Sequence, residues 1–363
     1  MKKIMVICNV SNALDFRREL LVELVKTYKV IIVCEDERYI PQYKNIGCEY
    51  VKSKSSQHGM NPLKEIQTIM DYKKIIKREN PDLVVTYTIK PNIYAGICCA
   101  SLNVPYIANI TGLSEAIINE GLFRNTLLLF YRYGLRKARK IIFQNNNSRE
   151  LFEQHKIIKD NAITVAGSGV NLSEHYFEDY PEESEDLVFI TLGRIIKAKG
   201  IDELLGAATK IKKKYPFVTF RLLGTIYENY EGLIIDSVKK GIIVYEGQKK
   251  DVHPYIKNSH ATIHASYHEG MSNALLETAS AGRPIIASAI PGCQETFDEG
   301  VSGIGFKPKD EKDLYRAIEQ FIQLPYKEKE KMGIAGRKKM ENEFDRKKVT
   351  KTHLEIIETI IGS

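Results

Sequence analysis

At 363 residues the chain is long enough for two domains of ordinary size, and a hydrophobic fraction of 43% supports substantial cores. It has no run of eighteen apolar residues, its opening MKKIMVICNV is too short and β-like for a signal peptide, and its six cysteines lack paired metal spacing, which together indicate a soluble, reduced, cytoplasmic protein. The net charge of +7 lies mostly in residues 1–180, with 25 Lys+Arg against 19 Asp+Glu, yet no RNP, zinc-finger or helix-turn-helix signature accompanies it, so no nucleic-acid partner is expected.

The first half alternates short β-rich runs with helical patterns, the arrangement of a parallel sheet covered on both faces. Strands are predicted over 3–8, 30–34, 48–51, 83–86, 106–108, 140–143 and 163–165, with helices over 16–27, 63–78, 92–102, 123–137 and 148–154. The turn after the first strand, Asn9-Val10-Ser11-Asn12, lacks Gly-x-Gly-x-x-Gly, which counts against a dehydrogenase. Residues 121–140 hold six basic residues and no acidic one among Leu127, Leu128, Leu129, Phe130, Tyr131 and Leu135. Two readings stand for this helix: one that lies against an anionic membrane surface, and a core helix with a solvated edge.

An acidic, proline-containing segment at 177–186 reads as a linker, after which the alternation restarts. Strands are predicted over 187–192, 219–223, 242–245, 261–265 and 284–288, and helices over 201–213, 252–257, 272–281 and 311–322. The tail, 326–361, is helical with a break near Phe344-Asp345. Two α/β domains result, with a cleft between them as the expected ligand site.

The densest chemistry lies in HASYHEGMSNALLETASAG, residues 264–282. Glu269 sits in a loop past the carboxyl end of a strand, where open α/β sheets place ligands, and Glu277 follows on the second turn of a helix with Ser272 as N-cap. The amides of Gly270, Met271 and Ser272 would crown that helix N-terminus, a seat for an anion. Upstream, ITLGRIIKAKG carries Arg194 and Lys199 past Gly193 at a strand's carboxyl end, where both cations can approach one phosphate group. Two cations for a diphosphate and two carboxylates for hydroxyls suit a nucleotide sugar.

With GRIIKAKG, EGMSNALLE and GRPIIASAIPGCQETFDEGVSG, the chain resembles the retaining glycosyltransferases of family four. The resemblance implies an α/β GT-B fold: two Rossmann-like parallel-sheet domains facing across a cleft, 1–178 for the acceptor and 179–345 for the nucleotide sugar, with helix 346–363 crossing back to the first. It further implies that Arg194 and Lys199 bind the donor diphosphate, that Glu269 holds sugar hydroxyls, and that Glu277 holds the ribose. Gly193, Gly270, Met271, Ser272 and Asn273 complete the donor site. TIKPNIYAG (88–96) and NITGL (109–113) resemble the bacterial branch that extends undecaprenyl-diphosphate-linked sugars in capsule, O-antigen and protein-glycan assembly.

On that likeness Lys90 meets the lipid diphosphate, while Asn9, Ser11, Asn12 and Arg17 line the acceptor side. Many relatives carry a histidine after the fifth strand; here Thr111 takes its place, and no side chain is assigned as general base. His268 is the nearby histidine, read as a structural neighbour of Glu269. The expected reaction moves a hexose or N-acetylhexosamine from a UDP-linked donor with retention, at the inner face of the membrane. No metal or cofactor is expected, since no Asp-x-Asp triplet or ligand cluster occurs. The rival readings are a nucleotide-sugar epimerase of the same fold and a non-catalytic nucleotide-sugar-binding subunit.

Overall fold

The computed structural model describes residues 1–54, 62–113, 117, 121–184 and 186–362; residue 185 of the expected linker lies outside them. It contains two compact units, 1–168 with 347–363, and 169–346.

In the first unit, β1 (Lys3–Ile7), β2 (Lys29–Cys34), β3 (Glu49–Lys52), β4 (Leu83–Tyr87), β5 (Tyr106–Ile110), β6 (Lys140–Phe143) and β7 (Ala162–Thr164) form one parallel sheet. Its order is β3-β2-β1-β4-β5-β6-β7. Every residue of β4 and β5 is buried, as the runs LVVTY and YIANI require of central strands covered on both faces. Alternation along the strands divides two cores. Ile4, Val6, Val30 and Ile32 pack with Leu21 and Leu24 of α1 (Arg18–Thr27), Tyr43 of α2 (Ile40–Asn45), and Ile357 of the C-terminal helix, Arg346–Gly362. Met5, Ile7, Ile31 and Val33 pack with Tyr72 and Ile75 of α3 (Pro62–Glu79), Cys99 of α4 (Gly96–Leu102), Leu128 and Tyr131 of α5 (Leu122–Leu135), and Phe152 of α6 (Asn146–Gln154).

The second unit is a parallel sheet of β8 (Leu187–Leu192), β9 (Val218–Leu223), β10 (Val244–Gly247), β11 (Ala261–His264), β12 (Ile285–Ser288) and β13 (Gly303–Phe306), ordered β10-β9-β8-β11-β12-β13. Around it lie α7 (Ile201–Lys214), α8 (Glu231–Lys239), α9 (His253–Lys257), α10 (Asn273–Ser280), α11 (Glu311–Gln323) and α12 (Tyr326–Glu343). Strand order reverses at β8, whose neighbours are β9 and β11, which opens a crevice at their carboxyl ends.

Helices α2 and α8 and strand β13 lie outside the elements expected from the sequence. In β13 the glycines at 303 and 305 remove the β-branched pattern, yet a Cβ at Gly303 would lie 2.7 Å from the Ile285 carbonyl oxygen, so the close strand pairing needs glycine there. The helix expected over 92–102 opens instead with a π turn, Pro91–Ala95, before α4. The helix expected from residue 16 starts as a 3-10 segment, Ser11–Arg17, before α1. The tail breaks between Glu343 and Arg346, and residues 347–363 belong to the first unit. The units part at Gly169, so residues 169–178 pack with the second, where the His175 carbonyl accepts from Ser280 Oγ and Arg337.

Candidate functional site

β8 and β11 are adjacent, so the loops that follow them leave the same edge of the second sheet. Their approach depends on Gly200: at φ +66°, a Cβ there would lie 2.2 Å from the Ala265 carbonyl oxygen. The Tyr267 N–H donates to the Ala198 carbonyl at 2.9 Å, and the Tyr267 hydroxyl donates to Glu203 at 2.9 Å. These links set Lys199 against Glu269, whose Oε1 accepts from Lys199 Nζ. The same oxygen accepts from Ser266 Oγ and from His264 Nε2, both at 2.8 Å.

Burial opposes ionisation of Glu269, but the hydrogen bonds from His264 and Lys199 and the charge of Lys199 outweigh it and hold the carboxyl well below the usual range. Burial pushes the His264 imidazole below its ordinary value in spite of Glu269. An ionised carboxylate only accepts, so the neutral imidazole presents its Nε2 proton to Glu269. Lys199 is thus committed to Glu269, whereas Arg194 is exposed and its guanidinium has no partner among the described residues.

Ser272 occupies the N-cap of α10, but its hydroxyl lies 3.1 Å from His264 Nε2 and makes no capping bond. The Ser272 N–H donates to the Gly292 carbonyl at 2.8 Å, so this amide of the expected anion seat is already used. Gly292, at φ +82°, holds the loop from behind: a Cβ there would lie 2.7 Å from the Gly270 carbonyl oxygen. Glu277 is half-buried and its carboxylate makes no hydrogen bond to the described residues. Burial pushes its carboxyl up to about 7, with Arg346 opposing and Glu174 adding to the rise.

The acceptor-side residues divide. Ser11 is buried, donating to Asp36 Oδ2 at 3.1 Å and accepting from the Tyr39 N–H at 3.3 Å, so it ties the loops after β1 and β2. Asn12 is exposed, and Asn9 Oδ1 is buried with no hydrogen-bond partner among the described residues. Arg17 is buried over the Tyr87 ring at 5.4 Å. With the Gln144 amide oriented to satisfy both its groups, it accepts from Arg17 Nη2 at 2.6 Å and donates to the Thr111 carbonyl at 2.9 Å. Lys90 pairs with Glu65 at 2.7 Å, both side chains being largely covered. Thr111 lines a cavity of about 250 Å³ with Thr88, Ile89, Asn92, Gly112, Leu113 and Tyr131.

Two histidines escaped the sequence reading. His264 is bonded to Glu269; the period of two through His264 and Ser266, aimed at the following loop, was the available signal. His353, from the C-terminal helix, sets Nε2 3.1 Å from Asn109 Oδ1 at the end of β5, and burial pushes its pKa down to about 4. Among the described residues no group of three or more His, Cys, Asp or Glu is arranged to hold a metal ion, and no helix is long and apolar enough to cross a membrane.

Comparison with known proteins covers both units. The model described as "Glycosyl transferases group 1" matches residues 173–339, and "Glycosyl transferase 4-like" matches 3–145. An N,N'-diacetylbacillosaminyl-diphospho-undecaprenol alpha-1,3-N-acetylgalactosaminyltransferase of Campylobacter jejuni is 25% identical, covering 81% of this chain and 82% of its own. A UDP-Gal:alpha-D-GlcNAc-diphosphoundecaprenol alpha-1,3-galactosyltransferase of Escherichia coli is 21% identical, covering 73% and 72%. In fold, the chain matches the crystal structure of Anabaena HepE with UDP and glucose at a TM-score of 0.80 and 15% identity, over 99% of this chain and 100% of that one.

Proposed function

We propose that this chain, which belongs to the group 1, 4-like glycosyltransferases of GT-B fold, moves a hexosyl or N-acetylhexosaminyl group from a UDP-linked donor to an undecaprenyl-diphosphate-linked saccharide in surface glycan assembly. The observation that carries the donor half is the Lys199–Glu269–His264 cluster with the exposed Arg194 on the same sheet edge. The two undecaprenyl-linked relatives support the acceptor half.

On this reading Arg194 and Lys199 take the donor diphosphate, with Glu269 turning from Lys199 toward sugar hydroxyls as the phosphates arrive. Gly193, Gly270, Met271, Ser272 and Asn273 shape that pocket, and Glu277 accepts from the ribose hydroxyls. As the glycosidic bond breaks, charge grows on the diphosphate, and the cations beside the positive end of α10 stabilise it more in the transition state than in the ground state. The leaving diphosphate takes the acceptor proton on the same face of the sugar, so configuration is retained without a protein base or a metal.

Asn9, Asn12, Arg17 and Thr111 belong to the acceptor side, with Lys90 released from Glu65 to meet a lipid diphosphate. The basic, apolar segment 121–140 rests on the anionic inner face of the membrane. The test offers UDP- and GDP-sugars with an undecaprenyl-diphosphate-saccharide and identifies the product by mass and anomeric coupling. Transfer with retention supports the reading; conversion of the donor without acceptor, or no turnover with any donor, contradicts it.

A further inference from the structure

α3 and α5 lie in the layer over one face of the first sheet, and both pack beside α4. α3 connects β3 to β4 and α5 connects β5 to β6, so in an all-parallel sheet both helices begin at the carboxyl edge and run the same way. Their outward faces carry the same gradient. On α3 the exposed stripe reads Leu63, Ile66, Met70, Lys73, Lys77, three apolar residues followed by two cations at alternating spacings of three and four. On α5 it reads Phe123, Leu129, Phe130 and Tyr133 with Arg132 among them, and the exposed Arg136 and Lys137 follow just past the helix end.

Charge follows the same rule. The acidic residues of α3 are occupied: Glu65 pairs with Lys90, Asp71 accepts the Lys54 N–H at 2.8 Å, and Glu79 is bound to Arg78 at 2.8 Å. Residues 121–140 contain none. Met70 is 66% exposed and Ile66 55%, more than any apolar residue of α5 whose side chain is described. The cavity lined by Thr111 lies on this face too, reached by Tyr131 of α5 and by Ile89 and Asn92 around the π turn that leads into α4.

We propose that α3 is a second membrane-contact helix, which acts with α5 to rest the first unit on an anionic bilayer. The exposed apolar side chains of the two helices enter the boundary between headgroups and acyl chains, and the lysines and arginines that follow them toward and past the carboxyl ends meet lipid phosphates. Such a placement tips the carboxyl edge of the sheet, and with it the cavity, toward the lipid. The inference rests on the membrane placement of 121–140 and extends it. Two helices with matched gradients define a plane, which one amphipathic helix does not.

The chain contains no tryptophan, so Ile66→Trp, Met70→Trp and Phe130→Trp each introduce a sole indole on an exposed position. Vesicles of equimolar phosphatidylcholine and phosphatidylglycerol should blue-shift the emission of all three full-length variants, with vesicles of phosphatidylcholine alone giving a smaller shift. The double variant Ile66→Ser with Met70→Ser should partition into the mixed vesicles at least about tenfold more weakly, because two side chains no longer leave water there. Its thermal unfolding should match the parent.

A shift from Phe130→Trp with none from Ile66→Trp or Met70→Trp overturns the role of α3 and leaves the placement of α5 standing. No shift from any of the three overturns both. A lipid-free dimer in sedimentation velocity that dissociates in the double serine variant overturns the proposal in favour of a second copy on this face.

Discussion

At the carboxyl edge of the second sheet, Glu269 is gripped by a lysine, a histidine and a serine, and Arg194 stands exposed beside them. At that of the first sheet, Lys90 is neutralised by Glu65, Ser11 is spent on Asp36, and the described residues that line the cavity around Thr111 are uncharged. One edge concentrates charge in two short loops with an exposed arginine; the other holds its cations covered, Lys90 against Glu65 and Arg17 over Tyr87, beside a cavity of neutral groups. On the proposed reading the exposed Arg194 of the second unit takes the donor diphosphate, and the first unit meets the lipid-linked acceptor with cations that are already covered.

The largest effect should come from breaking the charged edge. Arg194→Ala or Glu269→Gln should lower kcat about 10²- to 10³-fold, the loss typical of removing one group that stabilises developing charge. Far-ultraviolet circular dichroism should remain that of the parent, and near-normal transfer would refute the assignment. His264→Ala should follow, lowering kcat/KM about tenfold to a hundredfold, since Glu269 loses a buried donor. Part of that loss should return in His264→Gln, which a role in packing alone would not explain.

On the neutral edge effects should be smaller. Lys90→Met should raise the acceptor KM several-fold, roughly the worth of one partly covered charge contact, and leave the donor KM unchanged.

Glu277 supplies a pH test of the donor side. Its folded-state carboxyl titrates near 7 against an ordinary value of 4.5, so it is largely protonated below that range. The ionised form accepts better from ribose hydroxyls, and donor affinity should therefore rise as pH increases through 7, a dependence that Glu277→Gln should flatten. Stability runs the other way. Between 4.5 and 7 the unfolded chain releases this proton while the folded chain keeps it, so this group's contribution falls as pH rises through that window and then levels off.

Much of the fold was legible because it rests on local pattern. LVVTY and YIANI read as buried central strands, and the break at Phe344-Asp345 marks where the tail returns to the first unit. That the loops with Arg194 and Lys199 and with Glu269 leave one sheet edge was legible for the same reason, since each follows its strand within one short segment. What escaped depends on distance in the chain. Glu65 stands 25 residues from Lys90 and Asp36 stands 25 from Ser11, so their pairing exists only once the strands are side by side. His353 reaches Asn109 across 244 residues. His264 escaped differently, because a histidine inside an apolar strand reads as core until its hydrogen bond to Glu269 is seen.

Titration calorimetry with UDP tests the contrast between the two edges most directly. The account predicts that UDP binds the full-length protein, that Arg194→Ala weakens binding about tenfold or more through loss of a charge-assisted contact, and that Lys90→Met leaves it unchanged. UDP affinity that is indifferent to Arg194→Ala and lost in Lys90→Met would contradict it.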